Sequence, residues 1–118
     1  MIPSSAMAAK LALRDAGILA VTAAFWWLAA GLSGGTGPVA DLTGLLAGLL
    51  AGASAYVLHE WGHLLAGLAA GSVVQLNASL RSPFAFRFDP ERNTLSQFVV
   101  MSLGGFAVTA AAVTLAYA

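Results

Sequence analysis

His59-Glu60-Trp61-Gly62-His63 carries the residues best suited to chemistry in this sequence. It holds the chain's two histidines, four positions apart, with a glutamate directly after the first. On an α-helix, positions i and i+4 share a face, so both imidazoles reach one ion. The adjacent carboxylate can take a proton from water that the ion activates. The spacing points to a zinc site of the hydrolase type, with His59 and His63 as metal ligands and Glu60 as general base. The bland alternative is a hydrogen-bonded core pair with Glu60 as counterion or helix-end charge. Cost argues against it. Ionisable groups within an apolar helix are expensive and mark function by default, and here three fall within five residues. Trp61 reads as an interfacial anchor. A two-histidine haem site fails on geometry, because imidazoles at i and i+4 of one helix cannot bind opposite faces of one haem.

The setting is oily. Of 118 residues, 59% are hydrophobic and 8% charged, against about 25% charged in soluble domains. This is membrane composition. The length allows one domain over 1–118, and not a membrane bundle plus a sizeable soluble domain. Net charge is zero, so nothing favours nucleic acid. With no cysteine, a metal must be held by nitrogen and oxygen.

Three apolar stretches follow a polar lead-in at 1–15 that holds Lys10, Arg14 and Asp15. Ala16–Leu32 is charge-free and just long enough for one crossing. A signal peptide is the competing reading of this stretch. Ser33-Gly34-Gly35-Thr36-Gly37-Pro38 is a turn. A second helix is expected over 39–70, with Pro38 in its first turn and Gly71 as its stop. Its rise, roughly 45 Å, spans a bilayer with its headgroup layers. The period then changes from helical to two. Val74, Leu76, Ala78 and Leu80 alternate with polar residues, and so do Phe84, Phe86 and Phe88. This predicts a small interfacial β-hairpin over 73–89. Thr94 and Gln97 resemble a capping box before a third helix over 95–118. The expected fold is an all-α integral membrane protein with three transmembrane helices and that hairpin.

Lys10, Arg14, Arg81, Arg87 and Arg92 all lie before helix one or between helices two and three. The positive-inside rule puts the N-terminus and the hairpin in the cytoplasm, in a membrane of the bacterial inner type. His59 lies about 27 Å along the helix from Asp41, near the cytoplasmic edge of the hydrocarbon. Gly44, Gly48, Gly52, Ala55, His59, His63, Ala66 and Ala70 share about a 100° sector of helix two. The three glycines favour close approach of another transmembrane helix, either a partner or a substrate. Membrane lipids are the other expected partner.

His59-Glu60-Trp61-Gly62-His63, with Leu64-Leu65-Ala66-Gly67 after it, resembles the active helix of the site-2 protease family of intramembrane zinc metalloproteases. A glycine before the second histidine, a hairpin next and a further membrane helix match that family's core over roughly 42–113. The resemblance implies zinc on His59 and His63, with Glu60 activating the water that attacks a peptide bond of a partly unwound membrane helix. Two departures stand out. Gly104-Gly105-Phe106-Ala107-Val108 replaces the family's Gly-Pro-x-x-Asn pattern. The family's third ligand, an aspartate from a later helix, has no counterpart, because no acidic residue follows Glu91.

Four explanations are open. The apolar run reaching Ala118 favours a fragment whose ligand lies in a further helix. In the second a neighbouring chain supplies the ligand, and in the third Asp89 or Glu91 folds back. The last is a non-catalytic, protease-derived subunit of a larger membrane complex.

Overall fold

The computed structural model describes residues 5–32, 35–77 and 79–117. Helix α1 spans Ser5–Gly31, α2 Pro38–Ala69 and α3 Leu95–Ala116, with strands β1 (Val74–Leu76) and β2 (Phe86–Phe88) between α2 and α3. All three helices are long and apolar enough to cross a membrane.

Helix α1 begins by Ser5, not at Ala16 as the charge pattern predicts. Ala6, Ala8, Ala9, Leu11, Ala12 and Leu13 are helix formers, and Lys10, Arg14 and Asp15 do not interrupt them. Pro38 opens α2 as expected, behind Gly37 at φ 110°. Gly71 stops it at φ 76°. Ser72 N–H reaches Gly67 O at 2.9 Å and Gly71 N–H reaches Leu68 O at 3.0 Å. This paired closure lets a glycine in the left-handed region satisfy the last carbonyls. The box at α3 forms as expected: Gln97 N–H donates to Thr94 Oγ1, and Thr94 N–H to Gln97 Oε1. Gln97 Nε2 also donates to Ala70 O at 3.2 Å, tying the start of α3 to the end of α2. The expected ends at Ser33, Gly34 and Ala118, and Ala78 of the first strand, lie outside the described residues.

The hairpin is antiparallel, pairing Val74 with Phe88, Gln75 with Arg87 and Leu76 with Phe86. Its apolar face carries Val74, Leu76, Phe86 and Phe88, and Phe88 meets Phe98 of α3 at a 5.8 Å ring separation. Gln75 and Arg87 are exposed. The ladder is shorter than the alternation predicts, and local bonds explain why. Asn77 Oδ1 accepts Ser79 N–H, Asn77 Nδ2 donates to Ser82 Oγ, and Pro83 has no N–H to give. The chain turns at these residues instead of continuing the strands.

Helix α2 is the middle of the molecule, with α1 and α3 each antiparallel to it. On the α1 side, Thr22 Oγ1 donates to Leu50 O at 3.1 Å and lies 2.6 Å from Ser54 Oγ. On the α3 side the backbones nearly touch. A Cβ at Gly62 would fall 2.7 Å from Gly104 O and 2.7 Å from Val108 Cγ2. A Cβ at Gly104 would overlap Ala66 Cβ and lie 2.6 Å from Gly62 O. Small residues permit such crossings where no hydrophobic drive acts between helices. Gly44, Gly48 and Gly52 are different: each is exposed, and a Cβ there meets nothing within 4 Å.

Gly104→Ala is expected to destabilise the fold by about 1–3 kcal/mol, the usual range for overpacking, when unfolding is followed in detergent. Gly48→Ala should be neutral or slightly stabilising, because alanine is the better helix former. Equal effects at the two positions would contradict the assigned crossing.

Candidate metal centre

Met101, Gly105 and Thr109 recur every four residues on α3, so they form one stripe. It runs antiparallel to Gly67, His63 and His59 on α2. His63 Nδ1 lies 2.8 Å from Met101 O. His59 Nδ1 lies 2.8 Å from Gly105 O and 2.7 Å from Thr109 Oγ1. Gly105 is required here, because a Cβ on it would fall within the His63 ring. Phe106 meets both rings edge-on, at 5.5 Å from His59 and 6.1 Å from His63.

These contacts assign the tautomers. A backbone carbonyl only accepts hydrogen bonds, so each Nδ1 carries the proton and donates it. A ring that carries only this proton has its lone pair on Nε2. The two Nε2 atoms face each other at 2.8 Å. Two facing lone pairs at that distance would repel, so either a proton on one Nε2 or a cation between the rings answers the arrangement. Metal-bound histidines commonly donate their second nitrogen to a carbonyl, which fixes ring orientation and raises ligand basicity. Both rings show that pattern. Tetrahedral zinc holds nitrogens at about 2.0–2.1 Å, and hence about 3.3 Å apart. The pair at 2.8 Å is closer than that, so zinc would require the two nitrogens to part by about 0.5 Å. The donor set fits zinc, except that it supplies two ligands and not three.

No third ligand joins the pair. Among the described residues no group of three His, Cys, Asp or Glu side chains is placed to hold a metal. Asp89 Oδ1 accepts Glu91 N–H at 3.0 Å, its other oxygen lies 3.8 Å from Arg92 Nε, and both acidic residues are exposed. The fold-back of Asp89 or Glu91 therefore fails in this structure: that turn's own bonds direct Asp89 away from the histidines.

Glu60 is held from the hairpin loop. Its Oε2 accepts Ala85 N–H from the hairpin loop at 3.3 Å. Trp61 is more than an anchor, because its indole N–H donates to Asp15 Oδ2 at 2.6 Å. Asp15 is the one buried carboxylate among the described residues, 3% exposed. Sequence reasoning missed Asp15, Thr109 and the two carbonyls of α3. The four-residue recurrence of Met101, Gly105 and Thr109 was the available signal for the α3 contacts. For Asp15 the signal was a carboxylate at the edge of an apolar run.

Proton–nitrogen correlation spectra are expected to show Nδ1–H on both imidazoles. A bare Nδ1 on His59, accepting from the Thr109 hydroxyl, would contradict the assignment. Thr109→Val should leave both tautomers in place, whereas Gly105→Ala should break the His63–Met101 contact. The chain matches no protein-family model, no curated protein and no solved structure, so its chemistry has to be argued from these contacts.

Proposed function

We propose that this chain is a zinc-dependent intramembrane peptidase of the site-2 protease kind, with His59 and His63 as zinc ligands and Glu60 as base. The observation that supports it most is the convergence of two Nε2 atoms at 2.8 Å while both Nδ1 atoms are committed to α3 carbonyls. Zinc, when bound, polarises a carbonyl and makes water nucleophilic near neutral pH. The remaining work falls to the chain. Met101 O and Gly105 O hold the two imidazoles in register. Ala85 N–H orients one oxygen of Glu60, and the other receives the proton. Phe106 and the apolar faces of α2 and α3 limit the water near the rings. The substrate is a peptide bond of a partly unwound membrane helix. A catalytic zinc takes three protein ligands, so a further helix or a neighbouring chain supplies the third. The basic residues place the N-terminus and the hairpin on the cytoplasmic side of a bacterial-type inner membrane.

A second reading, a non-catalytic subunit of a larger membrane complex, rests on a different observation. Gly44, Gly48 and Gly52 are exposed, a Cβ on any of them would meet nothing within 4 Å, and Gly44 and Gly48 line an apolar groove with Trp26, Ala29 and Ala30 of α1. A partner helix packs on such a face without obstruction.

Purified protein assayed on a membrane-helix substrate separates the two readings. Cleavage is expected, abolished by a zinc chelator and lowered by about 10²–10⁴-fold in Glu60→Gln, the usual worth of a general base. Equal cleavage by wild type and Glu60→Gln would remove Glu60 from the mechanism. No cleavage, with no zinc in fresh material, would favour the subunit reading.

A further inference from the structure

Helix α1 contributes nothing to the histidine pair, yet it buries the only sequestered carboxylate among the described residues. Asp15 holds two donors: Trp61 Nε1 at 2.6 Å and Arg14 Nε at 2.7 Å. A buried ion needs a partner of opposite charge with good geometry, or its desolvation is not offset. Arg14 is that partner, and the planar guanidinium has donors to spare. Its Nη1 donates to Leu80 O at 3.0 Å and to Ser82 O at 3.1 Å. Arg14 therefore joins Asp15 to the hairpin loop, 66 and 68 residues away in sequence.

That loop is the one that meets Glu60. Three residues beyond Ser82, Ala85 is 1% exposed, and its N–H faces Glu60 Oε2. Its carbonyl accepts Asn77 N–H at 2.9 Å, closing the loop on the strand side. Trp61, the other residue held by Asp15, directly follows Glu60 in α2. Arg14 and Asp15 thus fix the two segments that face each other at Glu60: the helix that carries it and the loop that covers it.

We propose that Arg14 and Asp15 are positioning residues, a clamp on α1 that holds residues 79–85 down over Glu60 and so sets when that carboxylate is uncovered. The inference rests on the reading of Glu60 as the base and adds how access to it is controlled. A substrate backbone reaching Glu60 displaces the Ala85 N–H, and the clamp determines how readily the loop lifts. Nothing in α2 or α3 has to move for this. The charged pair lies beside the bonds it controls, and Asp15 touches neither histidine.

Amide exchange of the full chain in detergent tests the clamp without requiring cleavage. Arg14→Met keeps a long apolar stem and removes every donor. It is expected to speed exchange at Ala85 and across 79–85 by about tenfold or more, while amides of α2 from 54 to 64 keep their protection. Arg14→Lys restores a cation with three donors and should recover most of the lost protection. Asp15→Asn keeps an acceptor for Trp61 but loses the charge that holds Arg14, and should resemble Arg14→Met. Ala85 exchanging equally in wild type and Arg14→Met would overturn the proposal. So would Asp15→Asn keeping wild-type exchange across 79–85, because the charge on Asp15 would then not be what holds Arg14. If Arg14→Met does not fold, Asp15→Asn against wild type decides on the same readout. Absence of proteolysis in the wild type would count against the peptidase reading and leave the exchange result standing.

Discussion

The approach of α3 to α2 at Gly62, Gly104 and Gly105 is the constraint on which the other features rest. Glycine on both helices brings the backbones close enough for α3 carbonyls to reach imidazole nitrogens. Gly62 meets Gly104 across the crossing, and Gly105 makes room for the His63 ring. With a side chain at any of these positions the helices separate, and both Nδ1 atoms lose their acceptors. The rings then have no reason to point their Nε2 atoms at one another. A packing contact between two apolar helices therefore sets the chemistry of the polar site. The small residues nearest the histidines are occupied, while the glycines farther along α2 stay open.

Helix α1 acts on the opposite side of α2. Trp61 lies about 160° around the helix from His59 and His63 at 100° per residue, so Asp15 holds the histidine-bearing segment from behind. Several of the molecule's polar side chains lie in this part of α2 and its neighbours. Arg14, Asp15 and Trp61 form one set of contacts, Glu60 and Ala85 a second, and the two histidines with α3 a third, within a chain many of whose large apolar side chains face outward. Grouping them limits the number of polar groups that meet hydrocarbon, where an unsatisfied group costs several kcal/mol.

Much of this was readable from the residues. Pro38, Gly71 and the Thr94–Gln97 box marked helix ends because capping is local chemistry, settled within a few positions. The alternation at 74–76 and 86–88 gave the strands and their apolar face. The start of α1 was misplaced because charge was taken as a boundary, although Arg14 and Asp15 find partners in the tertiary fold. The hairpin's length was overstated for a related reason: Asn77, Ser82 and Pro83 turn the chain there. That His59 and His63 meet was legible from their spacing alone, whereas the contact of Glu60 with Ala85 was not. The surroundings of the two rings were not either, since which carbonyl meets which nitrogen depends on the depth of a helix crossing. The glycine pattern drew attention to Gly44, Gly48 and Gly52, yet the crossing that forms uses Gly62, Gly104 and Gly105, where contact distances decide and periodicity does not.

In the proposed centre two imidazoles, each fixed through Nδ1, present their Nε2 atoms to one cation. Zinc K-edge absorption on protein purified without added metal tests it most directly. The account predicts near-stoichiometric zinc with imidazole nitrogens at about 2.0–2.1 Å, lost in the His59→Ala/His63→Ala double variant. Zinc retained unchanged in that variant, or a wild type that takes up none even when it is supplied, would contradict it.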